Sequence, residues 1–267
     1  MWFQSAIKHV LTTGDALLIA TLSTPHAQGI YAISSNYGSI IARLLFQPLE
    51  EASRNLFSKI PAADSLPLLQ ILVKLYLLFS VLIMALGPPF AATALHLVAG
   101  ARWADAEAGA TLAAYCYYLP LLAINGVLEA FVQAVATPAE LGRQSVWMVG
   151  FSVVFAGVGW AVLGWGAKGL VAANALNMLL RIGWAGVFVM RKGGEKTPAW
   201  GGVLPAPGVV VAAVVAAGVA RSEWVGELGM VKEVACAAAL VVGLVGVVAV
   251  VERTFFMSVW RTAKEKR

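Results

Sequence analysis

Residues 66–86 read LPLLQILVKLYLLFSVLIMAL, an apolar run in which Lys74 is the only charge. About 20 residues at roughly 1.5 Å each cover the ~30 Å hydrocarbon core of a bilayer, so this stretch is long enough and apolar enough to be a spanning helix. Working outward from it, comparable windows recur at 2–22, 27–57, 109–136, 143–163, 168–190, 207–220 and 234–251, which makes about eight candidate transmembrane helices. The composition agrees: of 267 residues 60% are hydrophobic and only 12% are charged, and the mean hydropathy is +0.80. Charged residues make up about a quarter of an ordinary soluble domain. Lipid offers the backbone no hydrogen-bond partners, so runs of this length imply an all-α polytopic membrane helix bundle. The piece at 90–99, behind Gly87-Pro88-Pro89, is too short to span and reads as an interfacial half-helix.

Several kinds of chemistry have no support. Cys116 and Cys236 lie inside apolar segments and read as small buried hydrophobes. His9, His26 and His96 are far apart, with no ligand spacing around them, so no metal is expected. Neither a GxxxxGK[ST] phosphate loop nor a GxSxG elbow occurs, and no cofactor, enzymatic activity or nucleic-acid partner is expected. The first apolar segment carries Lys8, His9 and Asp15 without a small-residue cleavage site, and reads as a span rather than a signal peptide.

Basic residues give the expected orientation. Arg54, Lys59, Arg143, Arg191, Lys192, Lys196, Arg253, Arg261, Lys264, Lys266 and Arg267 fall on one side, against Arg102, Lys168, Arg221 and Lys232 on the other. Positive loops stay cytosolic, so both termini are expected in the cytosol. The tail WRTAKEKR should then lie along an anionic surface.

Lys8, Arg43, Lys74 and Arg181 are left inside the spans, where a charge at mid-depth costs on the order of 2.5–3.5 kcal/mol on insertion scales. They have polar company. The stretch Gly38–Lys59, GSIIARLLFQPLEEASRNLFSK, spaces Arg43, Gln47, Glu50 and Arg54 in steps of four, three and four, which places them on one helical face, with Glu51 beside them and Pro48 as a kink. Asn125, Glu129 and Gln133 form a second stripe, Asn174, Asn177 and Arg181 a third, and Asp15 lies near mid-depth of the first span. Four helices with polar faces are what a water-filled cavity requires. The bland alternative is mutual satisfaction in the bundle core, with Asp15 or Glu129 paired to Arg181.

The same residues carry a family resemblance. ARLLFQPLEEASRNLFSK, preceded by GDALLIATLSTPHAQGIYAISSNYGSI and followed by YLPLLAINGVLEAF (118–131) and GLVAANALNMLLRI (169–182), is similar to the endoplasmic-reticulum proteins of dolichol-linked oligosaccharide translocation. These are a branch of the multidrug/oligosaccharidyl-lipid/polysaccharide flippase superfamily. The resemblance implies two lobes of about six helices around a central cavity that opens alternately to either face. Family members are about twice this length. The chain resembles only their carboxyl-terminal part, from near the seventh helix, so an amino-terminal lobe or a second chain is an expected partner. The implied layout is a C-lobe-like six-helix bundle at 1–190, a basic cytosolic loop at 191–206, two additional spans at 207–251 and a basic cytosolic tail at 252–267.

The implied ligand is a lipid-linked oligosaccharide on dolichyl pyrophosphate, moved from the cytosolic to the luminal leaflet of the endoplasmic-reticulum membrane for protein N-glycosylation. Arg43 and Arg181 are the expected phosphate contacts, because a guanidinium forks onto phosphate oxygens. Asn125, Asn174 and Asn177 are the expected sugar contacts. Asp15, Glu129, Gln47, Glu50, Glu51 and Arg54 are assigned to gating or structural ion pairs, with Arg43 and Gln47 at a cytosolic mouth. One rival is a non-transporting accessory of lipid-linked oligosaccharide assembly, whose inherited cavity would look the same. Another is a membrane glycosyltransferase, for which the loops at about 87–108 and 191–206 offer only Asp105, Glu107 and Glu195.

Overall fold

The structure is a computed structural model that describes residues 24–100, 106–194, 200–227 and 229–265. The first candidate span, with Lys8, His9 and Asp15, lies outside the described residues. Among the described residues there are helices and turns but no strand. Thr24 caps α1 (Pro25–Ile41), its hydroxyl accepting from the Ala27 amide, with Pro25 in the first turn where a missing N–H costs nothing. A π-helical turn, Ala42–Phe46, joins α1 to α2 (Gln47–Phe57). Then come α3 (Ala62–Ala99), α4 (Ala106–Val135), α5 (Pro138–Ala161), α6 (Gly166–Gly193), α7 (Pro207–Ala220), the single turn α8 (Glu223–Gly226), α9 (Met230–Val251) and α10 (Arg253–Glu265).

Six of these segments are long and apolar enough to cross a membrane: Asp64–Ala99, Glu107–Val135, Pro138–Ala161, Gly166–Gly193, Trp200–Ala220 and Met230–Val251. The chain is therefore a multi-pass all-α helix bundle.

The segment at 90–99 is not a separate half-helix. It is the last part of α3, a 38-residue helix that continues through Pro88 and Pro89. A proline stops a soluble helix partly because water competes for the freed carbonyls; in lipid there is no such competitor, and the helix persists. At about 57 Å, α3 is far longer than the hydrocarbon core, so it must tilt or project beyond it.

The central helix is α4, which packs against α1, α2, α3 and α6. One core cluster gathers Phe46, Phe57, Leu69, Tyr76, Phe131 and Val189 at one end of the bundle. A second gathers Ile30, Leu95, Leu112, Tyr115, Leu119 and Val171 toward the other. A third fastens α7 and α9 to α3 through Ala85, Leu86, Phe90, Ala217 and Leu244. Burying a leucine from lipid gains little hydrophobic energy, so cohesion here depends on close packing and polar contacts. The α1–α4 crossing shows the first: Gly38 lies so near the buried Tyr115 ring that a Cβ would overlap it. Cys116, on α4, is buried, and both cysteines are free.

The tail also folds. α10 presents Phe256, Met257 and Trp260 to the surroundings, while the Lys264 ammonium sits 5.3 Å from the Trp260 ring centre. Alternating aromatic and basic groups of this kind suit the plane of a membrane interface.

Candidate functional site

The polar stretch that begins in α1 does not keep one face. A π-helical turn holds one residue more than an α-turn, and the extra residue rotates everything after it by about 100°. Arg43 consequently turns back along α1: its Nη2 donates to Ser39 Oγ at 2.7 Å and to the Asn36 carbonyl at 3.1 Å. Gln47 turns the other way, donating to Glu51 at 3.5 Å. Arg43 lines a cavity of about 470 Å³ together with Ile33, Asn36, Tyr37 and Ile40. Gln47 does not line that cavity.

Glu50 is the half-buried member of the stretch. Its carboxylate lies on the backbone of α4 at Gly126, where any side chain would overlap it. Glu51 and Arg54 are exposed. The ion pairs found among the described residues are His26–Glu107, Lys74–Glu252 and Lys192–Glu140, so Glu50, Glu51 and Arg54 form none.

The stripes on α4 and α6 separate as well. Glu129 accepts from Gln133 Nε2 and from the buried Gln144 Nε2, both at 2.8 Å. It makes no ion pair with Arg181 among the described residues, so that half of the bland alternative is not seen; Asp15, the other partner that alternative named, lies outside the described residues. Asn125 is half-buried one turn before Glu129.

On α6, Asn174 donates to the Leu170 carbonyl at 2.9 Å and to the Tyr31 hydroxyl of α1 at 3.1 Å, which ties the two helices together. Asn177 has no such partner. It is 1% exposed, and neither its Oδ1 nor its Nδ2 finds a hydrogen bond among the described residues. Arg181, one turn further on, has a buried Nε in the same condition.

Two constellations escape the sequence reading. Lys74, recognised as a charge in a span, pairs with Glu252 at 2.9 Å and donates to the Gly202 carbonyl at 3.2 Å. Its Nζ also sits 4.9 Å from the Phe255 ring centre. Glu252 in turn accepts from the Ala206 amide at 2.8 Å. Burial by itself would push the Glu252 carboxyl up, but the Lys74 hydrogen bond, the Ala206 amide and the Lys74 charge outweigh it and hold the group below the usual carboxylate range. No short-range pattern joins residues this far apart. The second constellation, Glu140 with Arg143, Arg191 and Lys192, was split between two loop ends. Only the capping box at Thr137-Pro138-Ala139-Glu140 was legible locally.

Among the described residues no group of histidine, cysteine and carboxylate is disposed to hold a metal. The geometry thus defines a polytopic membrane protein with buried polar groups that find no partner among the described residues. A family model described as Rft-1: Rft protein matches residues 1–262, and the chain belongs to that family. Relatives carrying the name Man(5)GlcNAc(2)-PP-dolichol translocation protein RFT1 are similar to it. The protein from Yarrowia lipolytica is 42% identical over 207 residues, covering 71% of this chain and 31% of the relative. That from Saccharomyces cerevisiae is 37% identical, covering 71% and 35%. The Xenopus tropicalis protein is 32% identical, covering 81% and 43%. The chain therefore spans about a third of the length of the first relatives it matches. No solved structure matches it.

Proposed function

We propose that the chain forms part of the wall of a path for a dolichyl-pyrophosphate-linked oligosaccharide, moved from the cytosolic to the luminal leaflet of the endoplasmic-reticulum membrane. The observation that carries this reading is the buried Asn177 amide and the buried Nε of the half-buried Arg181, which find no hydrogen-bond partner among the described residues. A buried unsatisfied polar group costs about 1–3 kcal/mol, and such groups inside membrane helices mark ligand pathways. Arg181 and Asn177 supply charge and amide to a passing pyrophosphate and its sugars, while Arg43 waits at the cavity beside α1. Repeat-built transporters place their site between halves, so the complementary lobe, on this polypeptide or another, supplies the facing wall. The excess of Lys and Arg at one end of the bundle supports cytosolic termini.

The test grafts this chain in place of the corresponding region of the Saccharomyces cerevisiae relative, reconstitutes the purified chimaera in vesicles, and follows the lipid-linked oligosaccharide between leaflets. Transport that falls at least tenfold in Arg43→Ala and Arg181→Ala, with folding intact, supports the reading. A chimaera that does not transport where its parent does overturns it, as do variants that leave transport unchanged.

A further inference from the structure

Where α5 begins and α6 ends, the two helices enclose a cleft of about 290 Å³ lined by Glu140, Arg143, Trp147, Trp184, Arg191 and Lys192, with Phe188 at its floor. We propose that this cleft binds the phosphate of an anionic phospholipid from the surrounding bilayer. Neither Asn177 nor Arg181 lines it.

The charges are sorted for such a ligand. Lys192 is held by Glu140 at 3.0 Å and sits 5.6 Å from the Phe188 ring centre, so that carboxylate neutralises one cation. Arg143 and Arg191 are exposed and make no hydrogen bond or ion pair among the described residues. Two guanidinium forks on one rim are suited to the oxygens of a single phosphodiester.

The apolar part of the cleft lies at the matching depth. Trp147 is one turn below Arg143 on α5, and Trp184 is two turns below Arg191 on α6. At about 1.5 Å per residue the two rings stand ~6–10 Å beneath the charges. That is the separation between a lipid phosphate and the glycerol and upper acyl region, where tryptophan belts lie. Trp184 stacks on Phe188 at 5.7 Å and Trp147 meets Phe151 at 6.0 Å, which fixes both walls.

Access and size select the ligand. Only 22% of the α5 window is buried, so the helix faces outward and a lipid can enter from the side. A volume of about 290 Å³ accommodates a phosphate with its glycerol. The end of the bundle that holds the cleft also holds the basic excess, which is where anionic lipids concentrate.

The test purifies the full chain, exchanges it into nanodiscs of phosphatidylcholine doped with phosphatidylserine, and counts retained lipids by native mass spectrometry. Arg143→Gln/Arg191→Gln is expected to retain phosphatidylserine about tenfold less than the unaltered chain. Phosphatidylcholine should be unchanged, and Arg54→Gln/Lys59→Gln, exposed basic residues outside both the cleft and α10, should keep wild-type retention. Unaltered retention in the first double variant overturns the proposal, as does equal loss in the second, which would show only a diffuse basic surface. Displacement of the lipid by stoichiometric dolichyl pyrophosphate also overturns it, by assigning the cleft to the oligosaccharide carrier. A thermal shift on adding phosphatidylserine, present in the unaltered chain and absent in Arg143→Gln/Arg191→Gln, gives a second readout that does not depend on mass spectrometry.

Discussion

Gly38 of α1 and Tyr115 of α4 meet with the backbone of one flat against the ring of the other, and a Cβ at position 38 would overlap the ring. The ring cannot step aside, because it is buried and packed edge-on against Tyr118 at 5.2 Å. Gly38→Ala is therefore expected to cost about 1–3 kcal/mol as an overpacked contact. Gly29, in the same helix, has nothing among the described residues within 4 Å of its would-be Cβ. Gly29→Ala should gain roughly 0.5–1 kcal/mol through helix propensity. Unfolding of both variants in detergent provides the comparison, and equal effects would disprove the crossing.

Lys74 and Glu252 hold the start of α7 and the end of α9 against α3. Lys74→Met strands a buried carboxylate and is expected to cost about 3–5 kcal/mol, whereas Lys74→Met/Glu252→Met removes both charges and should cost much less. The pH dependence has a definite sign. A carboxylate whose pKa is depressed in the folded state contributes stability above its unfolded pKa, and that stability is lost as pH falls through the folded value. Melting curves of the unaltered chain and of the double variant should converge as the solution is acidified below the ordinary carboxylate range.

Glu129 is a structural acceptor for two amides. Glu129→Ala leaves the buried Gln144 without its partner and should cost about 1–3 kcal/mol. Because Glu129 makes no ion pair with Arg181, combining Glu129→Ala with Arg181→Met should give additive losses within about 0.3–0.5 kcal/mol. A coupling well above that in the double-mutant cycle would restore the salt bridge that the bland alternative proposed.

Asn177 separates stability from function. Asn177→Leu keeps the branched outline of the side chain and removes two polar atoms that find no partner among the described residues, so it is expected to raise stability by about 1–3 kcal/mol. In the chimaera it should at the same time lower transport of the lipid-linked oligosaccharide. A less stable protein with full transport would identify Asn177 as a member of an internal hydrogen-bond network.

The membrane class and the helix register were legible in the chain itself, because hydrocarbon thickness converts directly into run length. The candidate span at 207–220 coincides with α7, and those at 168–190 and 234–251 fall within α6 and α9, two to four residues short at an end. The unusual polar residues within spans were equally visible, since a charge among leucines stands out in any window. Partners were not. Glu129, paired with Arg181 only in the bland alternative, is taken by Gln133 and Gln144; Arg43 and Gln47 shared a stripe until the π-helical turn rotated them apart.

Periodicity is a local property, carried by 3.6 residues per turn and by the dehydration cost of each segment, so the sequence alone shows which stretches are apolar enough to cross a membrane, while the break of 27–57 at the π-helical turn emerged only in the structure. Which faces meet is settled by contacts between residues distant in the chain: Lys74 with Glu252, Gly126 with Glu50, Arg143 near Arg191. Those contacts exist only after the helices pack, because in lipid it is close van der Waals approach and the pairing of buried polar groups, not hydrophobicity, that selects one arrangement over another.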